Sequence, residues 1–294
     1  MVNGEEDVIM EIEQWIQSWN NSILDNINIK ISFIGETDFF ILLFLILFYF
    51  IGRREAIKAG SIFFFSNACN STLKDIFRIP RAFGQLNIRV VGASEISGFS
   101  FPSGHVQNTA TMSGMFTKKI NKYLASACFL LLTILVAYSR IYLGAHTIWD
   151  VIGGALFGYA ISFAGVYLFS KSEGGHMHYI YLMPVILLAC MIVLKIPRLY
   201  TSAGFCISMV IGNHLEVRFF NRYQFQKIIT KVVALFCSYG LFKYVSNQLD
   251  GLWGNNPIGY VLSGLIKGST LAIFMPIITV IIIRIFDKRL HMKL

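Results

Sequence analysis

Apolar residues gather along this chain in nine runs, at about 36–52, 55–77, 103–118, 121–140, 147–170, 179–196, 199–216, 226–248 and 257–286. Crossing a hydrocarbon core takes about 20 predominantly apolar residues as a helix. The pattern therefore predicts an all-α, polytopic membrane helix bundle of about nine spans. The third run is short and holds Gln107, Asn108, Thr109, Thr111 and Ser113. Such a helix survives only among other helices, and its polar face is expected to line a cavity. Pro276 should kink the last run. Ahead of the spans, Val8, Ile12, Trp15, Ile16, Trp19, Ile23 and Ile27 share one stripe at steps of three and four, opposite Glu11, Gln14, Gln17 and Asn21. That predicts an amphipathic helix over 8–27, on the membrane surface or against the bundle. Its polar face is acidic, unlike the Lys/Arg-rich face of a binder of anionic lipids, which favours packing on the protein.

Composition sharpens this picture. The chain is 55% hydrophobic and 14% charged, whereas a soluble domain carries about 25% charged residues. The net charge of +9 would suggest nucleic acid in a soluble protein. Here Arg53, Arg54 and Lys58, then Lys118, Lys119 and Lys122, then Lys171, then Arg218, Arg222, Lys227 and Lys231, and finally Arg284, Lys288, Arg289 and Lys293 all fall between or beyond apolar runs. With alternating spans every group lies on one side, which should be cytoplasmic, and no nucleic-acid partner is expected. The N-terminus, the 78–102 loop and the turn at 250–257 then face outward, as in a multi-pass protein of the cell membrane. Five scattered cysteines show no metal-ligand spacing and read as small core residues.

Ionisable residues at a membrane edge are candidates for function. Lys74 and Arg81, seven apart, close the second run. Pro102, Ser103, Gly104 and His105 open the third. Ser139 and Arg140 end the fourth, with His146 and Asp150 at the start of the fifth. All three groups fall at the outer ends of their helices. Three cations at one end of a bundle call for an anion, and the arginine fork suits phosphate oxygens. A helix opening on Pro-Ser-Gly adds free backbone N–H groups, a close approach at Gly104 and the Ser103 hydroxyl. His146 and Asp150, four apart, share a helical face, so the carboxylate can hold one ring nitrogen and leave the other as a nucleophile. His105 supplies an imidazole for proton transfer. The scheme needs no metal and no cofactor.

In order along the chain, K-x6-R, PSGH and SR-x5-H-x3-D resemble the three signature motifs of the type 2 phosphatidic acid phosphatase superfamily, over roughly residues 36–170. The resemblance implies that Lys74, Arg81, Ser103, Gly104 and Arg140 bind phosphate, that His105 is the acid, and that Asp150 holds the nucleophile His146. It implies a membrane lipid phosphate as substrate and the bilayer as partner. One departure stands: the family's first motif ends Arg-Pro, whereas Ala82 follows Arg81 and Pro80 precedes it.

Several readings stay open. The substrate is a lipid phosphate monoester or an isoprenoid diphosphate; a soluble phosphate ester, as for glucose-6-phosphatase, and lipid phosphotransfer are alternatives. A transporter is the non-enzyme alternative, but 171–294 holds no second copy of the motifs. The chain divides into a lead-in at 1–35, a motif-bearing core at 36–175 and additional spans at 176–294, read as scaffold, homo-oligomer surface or lipid-access wall. Arg78 and Arg89 are expected to contact headgroups, His176 and His178 to face solvent, and His214 and Glu216 to pair with loop cations. Gly153, Gly154, Gly158 and Gly165 should serve close helix packing.

Overall fold

The structure is a computed structural model that describes residues 11–81, 88–91, 98–116, 122–171, 179–194, 196–215, 218, 228–252 and 256–286. Among these residues there is no strand. A helical stretch at 11–18 leads to α1 (Ser22–Phe33), α2 (Thr37–Ile46) and α3 (Arg53–Phe77). The motif region carries α4 (Gly104–Phe116), α5 (Lys122–Tyr142) and α6 (Ile148–Ser170). Then come α7 (Tyr179–Leu194), α8 (Pro197–Leu215), α9 (Ile228–Leu249), α10 (Pro257–Ser269) and α11 (Met275–Phe286).

Helix thus lies over every run that the hydrophobic pattern marks. Ile148–Ser170, Ile228–Leu249 and Ile258–Ile283 are each long and apolar enough to cross a membrane by themselves. Ser22–Phe33 and Thr37–Ile51 pass together as a pair bent by 53°. Pro276 is accommodated by a π turn at Thr270–Phe274 just before it, consistent with the N–H that proline lacks.

The helix expected over 8–27 is divided. Asn21 stops one helix and starts the next, its side chain accepting from the Leu24 N–H at 2.8 Å, as a short polar side chain does at an N-cap.

The chain forms two compact units. One comprises residues 1–40 and 69–168, and the other 41–68 and 169–294. In the first, Val106, Val136, Ile141 and Val151 make a buried cluster from α4, α5 and α6, and Ile16, Ile31 and Ile34 of the N-terminal segment pack on it. α4 and α6 approach closely at glycines. A Cβ at Gly154 would stand 2.6 Å from the Ser103 carbonyl oxygen, and one at Gly158 would stand 2.7 Å from Ala110 Cβ. Polar residues of α4 hydrogen-bond to backbone carbonyls. Asn108 donates to Gly35 O at 2.9 Å, Thr111 to Gln107 O at 2.8 Å and Ser113 to Phe129 O at 3.2 Å. Asn108 and Ser113 tie α4 to its neighbours while Thr111 bonds within it, because a buried polar group without a partner is costly.

In the second unit, Phe64 stacks on Phe205 with ring centroids 4.0 Å apart. The Tyr49 and Ser238 hydroxyls lie 2.7 Å apart. Lys267 pairs with Asp250 at 2.6 Å. His214 faces the Tyr181 hydroxyl at 2.9 Å, and the loop cations Arg222 and Lys227 expected near it lie outside the described residues. His176, His178 and Glu216 lie outside the described residues. Of the cysteines only Cys206 is buried; Cys128 and Cys237 are exposed. A small apolar thiol is at home on the outer face of a membrane helix, where apolar surface needs no burial, so the expected core placement fails for those two.

Candidate active site

The site belongs wholly to the first unit, at the end of α3, the start of α4 and the α5–α6 connection. Lys74 lies in the last turn of α3 and is buried. Its ammonium donates to Phe99 O at 2.6 Å and Ser100 O at 2.9 Å. The chain after α3 reverses at Arg78, which takes the left-handed conformation at φ 49. Arg81 comes back to donate to Gly98 O at 3.1 Å and to Ala145 O at 2.6 Å, the carbonyl just ahead of His146. Gly98, at φ 74, supplies a turn that only glycine makes without strain.

α4 starts at Gly104, two residues beyond Pro102, so the proline precedes the helix and does not open it. Ser103 is the first carbonyl of the ladder, accepting from the Gln107 N–H at 3.0 Å, while its own N–H donates to Asp150 O at 2.9 Å. That bond fixes the mouth of α4 against the first turn of α6. The Ser103 hydroxyl and His105 Nε2 are buried with no protein hydrogen-bond partner. Such orphaned atoms are expected where a ligand completes the bonding.

His146 and Asp150 stand as their spacing predicts, with Nδ1 3.3 Å from Oδ2 and both side chains buried. The same carboxylate oxygen accepts from the Ser100 hydroxyl and from the Thr147 N–H at 2.9 Å. Asp150 is thereby held by three donors, and His146 is oriented through Nδ1. Burial lowers the pKa of the His146 imidazole against the opposing pull of Asp150, which favours the neutral ring with a free lone pair. Arg140, His146, Arg81 and Lys74 all lie within electrostatic reach of His105, so the motif residues converge on one locus.

Three contributors carry no signature of their own. Ser100 orients Asp150. Asn70, one turn before Lys74, donates to Pro102 O at 3.2 Å and Gln107 Oε1 at 2.8 Å, bracing the mouth of α4. The N-terminal segment is the third. The Ser32 hydroxyl accepts from Arg140 at 2.6 Å, and Gln17 bonds Arg89 N, Arg89 O and Tyr142 O at 2.9, 2.9 and 3.1 Å. Glu13 accepts from the Ile148 N–H at 3.0 Å at the start of α6, and burial raises its carboxyl above the usual range. Arg89, expected at headgroups, has a partner within the protein. Both its terminal nitrogens bond Asp25 at 2.8 Å, and its guanidinium lies over Tyr142 at 5.7 Å. The arginine holds the Asp25 carboxyl below its ordinary range. Among the described residues no cluster of three or more His, Cys, Asp or Glu side chains converges on a metal position.

The comparisons with known proteins agree with this geometry. The sequence model of the PAP2 superfamily matches residues 55–173. Lipid phosphate phosphatase delta of Arabidopsis thaliana is 24% identical over 160 residues, which are 50% of this chain and 38% of that protein. The chain therefore matches well under half of that relative's length. The crystal structure of a transmembrane PAP2 type phosphatidylglycerolphosphate phosphatase from Bacillus subtilis superposes with a TM-score of 0.51 at 22% identity, over 59% of this chain and 90% of that one. That likeness shows a shared fold. Three motifs in order have their side chains drawn together in one helical unit, and across them residues 55–173 of this membrane protein match the PAP2 superfamily.

Proposed function

We propose that this chain is a membrane phosphatase that hydrolyses a lipid phosphate monoester or an isoprenoid diphosphate through a phosphohistidine on His146. One observation carries the reading: His146 is held through Nδ1 by a triply bonded Asp150, beside two orphaned buried groups, Ser103 Oγ and His105 Nε2. Lys74, Arg81 and Arg140 neutralise the phosphoryl group, and Ser103 with the N–H groups opening α4 at Gly104 bonds its oxygens. The bare Nε2 of His146 attacks phosphorus as the ester P–O bond breaks, and His105 gives its proton to the departing oxygen. Water then attacks phosphorus, giving a proton to His105, as the P–N bond to His146 breaks, which releases phosphate and restores His146. Asp150 stabilises the positive ring of the intermediate.

Both matched proteins are named for phosphate carried on lipid, which favours a membrane-borne substrate over a soluble ester. Nine spans with the basic loops in the cytoplasm would put the motif end on the extracytoplasmic face of the cell membrane. The second unit would then serve as scaffold, homo-oligomer surface or lipid-access wall.

The deciding experiment is rapid alkaline quenching with labelled lipid phosphate, in excess EDTA. Label on His146, absent from His146→Ala, is expected. Label on a serine, inversion at phosphorus, or loss of turnover restored by Mg²⁺ would overturn the scheme.

A further inference from the structure

The N-terminal segment presents its faces in the opposite sense to a helix on a soluble protein. Glu13, Gln17, Asn28 and Ser32 are buried at 3%, 6%, 2% and 4% exposure, while Ile12, Trp15, Trp19, Ile23 and Ile27 stand 42%, 63%, 62%, 71% and 45% exposed. Three of the four buried side chains are committed elsewhere: Glu13 to Ile148, Gln17 to Arg89 and Tyr142, and Ser32 to Arg140. Rolling the segment to bury its apolar stripe would strip those bonds and strand polar groups in the interior. The stripe must therefore find its apolar surroundings outside the protein.

Its neighbours indicate which surroundings. The bond from the Ile148 N–H to Glu13 sets this helix beside the first turn of α6. There Trp149 is exposed, followed along the helix by Ile152, Leu156 and Phe163. α6 is one of the helices long and apolar enough to cross a membrane, so the stripe continues a lipid-facing surface. It starts at the end where tryptophan gathers. Trp15 and Trp19 pack edge to face at 6.4 Å, and tryptophan favours the boundary between headgroups and acyl chains. Of the two acidic residues at 11–18, Glu13 is turned to the protein, and attachment through apolar and aromatic side chains needs no anionic lipid.

We infer that residues 11–33 form an in-plane interfacial element, with Trp15, Trp19 and Ile23 seated in lipid at the headgroup–acyl boundary beside the His146 site. Interfacial helices sink about 5–10 Å into that boundary, so this element would set the site at headgroup depth. The inference rests on the membrane reading of α6 and not on the proposed chemistry.

The test is depth-dependent quenching of tryptophan fluorescence in phosphatidylcholine liposomes, using the full chain with Trp149→Phe and Trp253→Phe so that Trp15 and Trp19 report. Nitroxide placed high on the lipid acyl chain should quench several-fold more than nitroxide near its end. Aqueous iodide should quench little, and anionic lipid should change nothing. As a control on these substitutions, a spin label at Ile23→Cys in a cysteine-free chain should report the same shallow depth by oxygen and nickel-chelate collision. Strong iodide quenching would overturn the proposal, as would strongest quenching from the deep label, which marks a spanning segment. Absence of lipid quenching that appears only on dilution into excess lipid would also overturn it, by showing a second copy on the stripe. Each readout is independent of phosphatase activity.

Discussion

The Ser32 hydroxyl accepts a hydrogen bond from the Arg140 guanidinium at 2.6 Å, across 108 residues of sequence. Arg140 is buried, so an acceptor at this distance fixes which way its fork points. Ser32→Ala should therefore raise KM for the lipid phosphate more than it lowers kcat. A hydrogen bond to a charged group is worth about 1.5–3 kcal/mol, roughly a tenfold to hundredfold loss of kcat/KM. Ser32→Thr should restore much of it, and equal loss in both variants would mean that Ser32 only packs.

Arg140→Ala removes the charge itself. The expected fall in turnover is about 10²–10³, the usual cost of deleting one electrostatic stabiliser, with the thermal midpoint in detergent little changed. Near-normal kinetics would make Arg140 a membrane-edge cation.

A glycine offers a test that touches no polar group. A Cβ at Gly154 would stand 2.6 Å from Ser103 O and 3.2 Å from Gln107 N, so Gly154→Ala must push α6 from the mouth of α4. Overpacking costs about 1–3 kcal/mol. Activity should fall together with the melting temperature. Unchanged values of both would show that the two helices separate without cost.

Asp25 and Arg89 give a pH test. Asp25 titrates below its ordinary 3.8, chiefly through its hydrogen bonds from Arg89. A carboxyl depressed by folding contributes stability that is complete above the unfolded pKa and is lost as pH falls through the folded one. Melting profiles of wild type and Asp25→Asn should differ at neutral pH and converge only as the pH falls below 3.8. Parallel profiles would mean that the pair contributes nothing.

Topology is checked by single cysteines in a cysteine-free background. Ile88→Cys should react with an impermeant thiol reagent from outside, and Lys171→Cys should not. The reverse would put the motif end in the cytoplasm.

The helices were legible because their apolar runs are long, and the His146–Asp150 pair because the two residues sit one turn apart. What could not be read is which face of 11–33 looks inward. In water an apolar stripe marks the buried side, but at a lipid boundary the sign reverses, and periodicity is the same in both cases. Gln17 belongs to the polar face opposite the stripe, and Glu13 carried no reading of its own. Their partners, Tyr142 and Ile148, are so distant in the chain that no local pattern could reveal them. Ser100 and Asn70 were missed for a related reason: their bonds to Asp150 and Pro102 arise only once the loop before α4 has folded back.

The family resemblance runs from 55 to 173, whereas the structure ties residues 13, 17 and 32 into the same locus. A protein trimmed to the recognisable stretch would keep every signature side chain but lose the Ser32 bond to Arg140 and the Glu13 acceptor at the first turn of α6. Comparisons of related sequences that begin at the first motif would therefore overlook part of the machinery.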